Sequence, residues 1–248
     1  MGNVKDTLPA VTELLANNTH TEWIDSFKQY EDLEMEKVIR HELNPPAGSP
    51  ITMGEVVRKV SDATNRKAIL VTDVGQNQME AVRYFQFDEK RSVVTSGGAG
   101  TMGFGIPAAI GAKIAKPERT VCLFCGDGGF QMTMQELGTI IQEKMDVKII
   151  LMNNNYLGMV RQWQELFFQE RYSSTPMVNP SFTAIAQAYG IPTRLVNQRE
   201  ELDDAIADMI NSTNSYLLVV NVQEKSLVYP MTPAGGAVTT ILLNENNK

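Results

Sequence analysis

Residues 120–137 read TVCLFCGDGGFQMTMQEL. A β-branched and aromatic run stops at an aspartate set among glycines, and a helical pattern follows at once. Asp-Gly between apolar runs is a hairpin signal. Here Met134, Leu137, Ile140 and Ile141 recur at helical spacing instead of alternating, which predicts strand, glycine loop and then helix over 130–143. Such a junction lies at the carboxyl end of a parallel strand and turns free backbone N–H groups and a positive helix end toward whatever binds there. An anion is the expected guest.

The flanking sequence repeats the alternation. A helix over 52–64 precedes the strand AILVT (68–72), and a short helix follows Gln78. SVVT (92–95) leads to a helix over 104–115, and VKIILMN (147–153) follows the helix after the glycine loop. Helices over 159–169, 181–189 and 200–211 precede the strand YLLVVNV (216–222). This βα alternation predicts an α/β fold, an open and mostly parallel sheet with helices on both faces. Residues 4–43 read as two amphipathic helices, with Leu8, Val11, Leu14 and Leu15 on one face and Trp23, Phe27 and Tyr30 on another. NPPAGSP (44–50) cannot continue a helix, so 1–50 reads as a helical segment with its linker and 51–248 as the binding domain.

A 248-residue chain that is 43% hydrophobic can bury a full core, and a net charge of −7 provides no basic field for nucleic acid. No apolar run reaches the length of a membrane span, and the start lacks the pattern of a signal peptide, so a soluble cytoplasmic protein is expected. Cys122 and Cys125 form a C-x-x-C, but three positions apart on one strand they point to opposite faces, which suits buried core residues better than a redox pair. Both histidines, His20 and His41, precede the glycine-rich part, which removes the usual components of a catalytic triad or a His-rich metal site.

Three loops should gather at the carboxyl edge of the sheet: TDVGQNQM from Thr72, TSGGAGTMGFG from Thr95 and GDGGF from Gly126. Gly98, Gly100 and Gly103 have the G-x-G-x-x-G spacing of a dinucleotide-binding turn, with Asp127 at the end of the next strand. That assignment leaves the other two loops unexplained. Asn153, Asn154 and Asn155 end the following strand, and Asn154 lies 27 residues beyond Asp127, a βαβ interval that sets the two loops side by side. An amide run alone is an ordinary turn. Next to GDGG, one carboxylate, one amide oxygen and a nearby carbonyl form a hard oxygen cluster suited to Mg²⁺, which takes its other ligands from phosphate and water. Asp127 would hold the metal, while the glycines and the helix end would meet a diphosphate.

GDGG followed by NN at this interval resembles the thiamine-diphosphate motif. The wider set GQNQM, SGGAGTMGFGIPAAIGA, GDGGFQMTMQEL, NNNYLGMVRQWQ and YPMTPAGGA resembles the acetolactate synthase large, catalytic subunits from about Ala68 to Ala237, and GMV-x-QWQ separates them from other thiamine enzymes. The resemblance implies that Asp127, the side-chain oxygen of Asn154 and the backbone carbonyl of Tyr156 hold Mg²⁺. Val74, Gln76, Asn77 and Gln78 would lie along the diphosphate and thiazolium, and Gly128 and Gly129 would offer N–H groups to the phosphates. Gly100 and Met102 would hold the aminopyrimidine through the backbone, and the Met102 side chain would bend the cofactor. Met159, Val160 and Trp163 would line the substrate pocket. From the residues alone, Met102 suits the core, and that stripe reads as core rather than pocket. Asn77 stands where the family commonly has histidine.

The resemblance further implies condensation of pyruvate with pyruvate or 2-ketobutyrate after decarboxylation, in branched-chain amino acid biosynthesis. It implies a homodimer or homotetramer with active sites shared between chains, and a regulatory small subunit. Family members also carry a first domain with a glutamate that activates the cofactor and a middle domain that binds FAD. This chain is therefore expected to be the C-terminal portion, its first helices the tail of the middle domain and Met1 and Gly2 a truncation start, and to be inactive alone. Glu80 and Glu136 fall on predicted helices beyond the binding loops and are no substitute for that glutamate. The alternatives are another thiamine-diphosphate-dependent keto-acid decarboxylase or oxidase, a nicotinamide-dinucleotide domain built on Gly98, Gly100 and Gly103, and a non-catalytic binding module.

Overall fold

A computed structural model describes residues 2–233, 235–237 and 240–244. Met1, Ala234 of the YPMTPAGGA stretch and the last residues of the 51–248 span lie outside the described residues. Among those described, six strands form one all-parallel sheet: β1 Ile69–Thr72, β2 Val93–Val94, β3 Val121–Gly126, β4 Lys148–Asn153, β5 Thr193–Val196 and β6 Tyr216–Asn221. Their order is β2-β1-β3-β4-β6-β5, with Leu70 opposite Cys122, Gly126 opposite Met152 and Met152 opposite Val220. The chain goes from β1 outward to β2 and then returns to β3 on the other side of β1. That reversal opens a crevice at the carboxyl ends of β1 and β3, where open α/β sheets take their ligands.

Strands buried on both faces read as continuous apolar runs because neither face meets water. Cys122, Phe124, Ile150 and Met152 face one core, covered by α4 Met53–Ala63, α5 Gln76–Tyr84 and α11 Leu202–Asn211. Leu123, Cys125, Ile149 and Leu151 face the other, under α6 Gly105–Ala115, α7 Asp127–Thr133, α8 Leu137–Gln142 and α10 Phe182–Ala188. Cys122 and Cys125 thus lie on opposite faces, both buried and free. No helix among the described residues is long and apolar enough to cross a membrane.

Several boundaries differ from the sequence expectation. The helix expected over 130–143 starts at Asp127 and is interrupted by a 3₁₀ turn at Met134–Glu136 before α8. The short helix expected after Gln78 starts at Gln76, so Gln76 and Asn77 belong to its first turn. The edge strand β5 had not been expected: Thr193, Arg194 and Leu195 stay partly or largely exposed and only Val196 is buried, which leaves no apolar run to detect. The N-terminal segment forms α1 Val4–Glu13 and α2 Thr21–Glu34, and α2 passes through a π turn at Met35–Ile39 into α3 Arg40–Leu43. The apolar faces of α1 and α2 remain exposed, and packing begins at Val38, Ile39 and Leu43. The 44–50 linker is tied down by Arg199, which donates to the Pro46 and Pro50 carbonyls and pairs with Glu55 at 2.9 Å.

Candidate cofactor site

The carboxyl ends of β1, β3 and β4 meet the first turns of α5, α7 and α9 (Gly158–Phe167) around a cavity of about 280 Å³. This is near the lower end of the range for small-molecule sites. The cavity is lined by Val74, Gln76, Asn77 and Gln78 from the β1 side, by Gly100 and Met102, and by Asp127, Gly128 and Gly129. Asn154, Tyr156, Met159 and Val160 complete it, so residues expected from four separate loops share one space. Trp163 does not line it. Its ring is partly exposed on α9 and packs against Phe167, centroids 4.9 Å apart.

Asp73, to which no role had been given, organises the glycine loops. It is 1% exposed at the end of β1. Oδ1 accepts from the backbone N–H of Val74 at 2.8 Å and of Gly103 at 3.0 Å, and Oδ2 accepts from Gly105 N–H at 2.8 Å. A Cβ on Gly105 would lie 2.9 Å from Asp73 Oδ2, and one on Gly129 would collide with Oδ1. The Gly103 N–H ahead of α6 and the first N–H of the helix, that of Gly105, are therefore already bound to a carboxylate of the chain itself, which places a negative group where a dinucleotide phosphate would approach the helix end behind the G-x-G-x-x-G spacing. The available signal was an acidic residue directly after an apolar strand, the same signal as at Asp127.

Asp127 is also 1% exposed. Its Oδ1 accepts from Gly128 N–H at 3.0 Å and its Oδ2 from Asn179 Nδ2 at 2.7 Å. The same Asn179 nitrogen reaches Asn153 Oδ1 at 2.9 Å and Asn155 Oδ1 at 3.2 Å. Alternation along the chain thus directs Asn153 and Asn155 to Asn179, and Asn154 to the cavity. Asn154 Oδ1 accepts only a long bond, 3.3 Å, from Tyr156 N–H. Burial raises the Asp127 carboxyl above its ordinary pKa, against the hydrogen bonds from Asn179 and Gly128. A cation beside it would favour the charged form instead.

Gln76 has duties beyond the cavity. Its Nε2 donates to Gln162 Oε1 at 2.8 Å and to the Ser226 carbonyl at 2.7 Å, and its Oε1 receives Asn154 Nδ2 at 3.4 Å. Gln162, fully buried on α9, also accepts from Val228 N–H at 2.9 Å and donates to the Val228 carbonyl at 3.2 Å. Buried amides in such a chain fix one another's orientation. Here they join the Asn154 amide to the segment beyond β6. Gln162 lies within the quoted GMVRQWQ stretch, yet nothing in its spacing distinguishes it from its neighbours.

Two features fit a bound diphosphate cofactor and cation. Asn77 is 5% exposed, and its Oδ1 has no hydrogen-bond partner although Asn77 lines the cavity. A Cβ on Gly128 would lie 2.8 Å from Leu157 Cδ2 and 3.4 Å from both Met102 Cε and Met177 Sδ, so only glycine leaves that side of the cavity open. Asp127, Asn154 and the Tyr156 carbonyl supply few and hard donors, the type Mg²⁺ accepts when phosphate and water complete its shell.

Residues 73–220 match the family model for the thiamine pyrophosphate enzyme C-terminal TPP-binding domain, TPP being thiamine diphosphate. Over 196 residues the chain is 42% identical to the acetolactate synthase isozyme 2 large subunit of Escherichia coli, covering 79% of this chain and 36% of that protein. It is 40% identical over 242 residues to the acetolactate synthase large subunit of Lactococcus lactis, covering 94% and 41%. It is 42% identical over 189 residues to the mitochondrial acetolactate synthase catalytic subunit of Saccharomyces cerevisiae, covering 76% and 28%. The chain thus spans roughly a third of the length of these relatives.

Proposed function

Since the chain belongs to the C-terminal TPP-binding domain family of thiamine pyrophosphate enzymes, we propose that its cavity takes the diphosphate end of thiamine diphosphate together with Mg²⁺, as the cofactor-binding part of an acetolactate synthase. What supports this most is the cavity itself. It gathers Asp127, Asn154 and the glycines of GDGG at the sheet's switch point, while Asp73 fills the competing helix end.

In this assignment Asp127, Asn154 Oδ1 and the Tyr156 carbonyl hold the metal, and Gly128 and Gly129 leave room for the phosphates. The Gln162–Gln76 pair keeps the Asn154 amide turned so that its nitrogen has an acceptor and its oxygen remains for the cation. Asn77 offers its unpartnered oxygen, and Val74, Gln78, Gly100 and Met102 complete the walls around the rings. Met159 and Val160 present an apolar side to the keto acid, with Trp163 farther along α9. When bound, the cofactor supplies the electron sink for decarboxylation of a 2-keto acid.

For the whole protein the same proposal covers condensation of pyruvate with pyruvate or 2-ketobutyrate in branched-chain amino acid biosynthesis, in the cytoplasm. It extends to FAD in the longer enzyme, to a homodimer or homotetramer and to a small regulatory partner, the last suggested by the words "large subunit" in relatives' names. Calorimetry tests the cofactor assignment. Thiamine diphosphate should bind with Mg²⁺, fail to bind with chelator and fail to bind Asp127→Ala, while NAD should give no heat. Equal affinity with and without the metal, or preference for NAD, would overturn it.

A further inference from the structure

The amide network beside the cofactor cavity is centred on Asn179. On one side of it Met177 N–H donates to the Asn155 carbonyl at 2.9 Å, and on the other the Ser181 hydroxyl caps α10 by accepting from Ala184 N–H at 3.2 Å. Pro180 disfavours helical backbone at the residue before it. The Asn179 backbone is thus held from both ends. Its Nδ2 points at the oxygens of Asp127, Asn153 and Asn155, while its Oδ1 accepts from Gln131 Nε2 at 3.0 Å. The reverse orientation would set an oxygen against three oxygens. Asn153 and Asn155 are themselves held, since their Nδ2 groups donate to Asn221 Oδ1 at 2.8 Å and to Glu224 Oε1 at 3.3 Å. The amides around Asp127 therefore keep one orientation.

A carboxylate that is to meet a cation needs a fixed plane. The Gly128 N–H that holds Asp127 Oδ1 belongs to the next residue and turns with it, whereas Asn179 reaches Oδ2 from 52 positions away. An amide donor also orients the carboxylate without cancelling its charge, while a lysine or arginine in its place would compete with a metal ion for the same oxygens. Each carboxylate oxygen keeps a lone pair free. We propose that Asn179 is a positioning residue that fixes the plane of the Asp127 carboxylate so that its remaining lone pairs face the divalent cation, an inference that rests on the cofactor reading above. Asn179 lies outside the cavity lining, so it acts through Asp127 rather than on the cation.

The test separates the metal from the cofactor. Thiamine diphosphate is titrated calorimetrically into the full chain over a range of Mg²⁺ concentrations. Asn179→Ala should raise the Mg²⁺ concentration at half-maximal binding about tenfold, the loss expected for a charge-assisted hydrogen bond, while saturating Mg²⁺ returns cofactor affinity to within about threefold of the unaltered chain. A role confined to the fold would instead lower Tm and weaken the cofactor at every Mg²⁺ concentration. Gln131→Ala removes the donor to Asn179 Oδ1 and should raise the same Mg²⁺ midpoint about threefold. An unchanged midpoint in a folded Asn179→Ala, or a loss that saturating Mg²⁺ does not recover, would overturn the proposal. Should Asn179→Ala fail to fold by circular dichroism, Gln131→Ala decides, and a midpoint equal to that of the unaltered chain overturns it. An unaltered chain that binds no cofactor at any Mg²⁺ concentration would sink the function proposed above, and the role of Asn179 with it.

Discussion

Two glycine-rich turns lead into helices at the same edge of the sheet, and they differ in what meets the helix end. Ahead of α6, the turn with Gly98, Gly100 and Gly103 closes on Asp73, whose two oxygens take the N–H groups of Gly103 and Gly105. In the first turn of α7, Gly128 and Gly129 border a cavity, and Asp127 divides its oxygens between the Gly128 N–H and an amide cluster. The turn ahead of α6 has the better-known spacing, yet of its glycines only Gly103 packs closely, against Met132 and Thr133, while Gly98 and Gly100 have open space around them. Glycine spacing reports how closely backbone and carboxylate approach each other. It does not report whether the approaching group is a ligand.

That difference predicts opposite consequences for the two aspartates. Asp73→Ala leaves three backbone donors without their acceptor at about 1–3 kcal/mol each where they stay buried, so a loss of roughly 3–5 kcal/mol is expected in denaturant melts. Asp127→Ala removes an acidic group already disfavoured by burial. It leaves the Gly128 N–H without its acceptor, while Asn179 keeps the Asn153 and Asn155 oxygens, so it should cost about 1–2 kcal/mol, less than Asp73→Ala, while abolishing metal-dependent cofactor binding. Comparable destabilisation by both variants would mean that the β3–α7 junction is as much a structural clamp as the first.

A smaller effect is expected at the glycines themselves. Gly103 sits at φ +82°, and a Cβ there would lie 3.0 Å from Met132 Cβ, so Gly103→Ala should cost about 1–2 kcal/mol of stability. Gly128→Val instead places atoms in the cavity against Leu157 and Met102, and should weaken thiamine diphosphate binding at least about tenfold. Calorimetry combined with thermal melts separates the two. If Gly128→Val binds cofactor as the unaltered chain does, the GDGG loop is a turn and nothing more.

The layered sheet was legible because strands buried on both faces leave unbroken apolar runs between glycine loops, and TVCLFC and VKIILM are such runs. The cavity residues were legible through motif resemblance, since alternation sets Asn154 opposite Asn153 and Asn155 without saying which side meets a ligand. Asp73, Asn179 and Gln162 were not, because their roles depend on partners 30, 52 and 66 positions away in the chain. A buried hydrogen-bond network has no local signature. Likewise β5 is short and half wet, and its pairing with β6 is what makes it a strand.

The smallest expected effect, at Gly138, marks where the requirement for glycine ends. Gly138 lies in the first turn of α8, eleven residues beyond Asp127 and outside the cavity lining. A Cβ there would meet only Tyr189 Cε1 at 3.6 Å, an ordinary contact. Alanine lowers the entropy of the unfolded chain and is preferred in helices by up to about 1 kcal/mol, a gain reduced near a helix end. Gly138→Ala should therefore stabilise the chain by roughly 0.5 kcal/mol, a rise of about 1–2 °C in Tm for a domain of this size. Cofactor affinity should be unchanged. A loss like that at Gly103 would show that α8 needs close backbone approach too, and the contrast between the two turns would then belong to the whole helical layer rather than to the cavity.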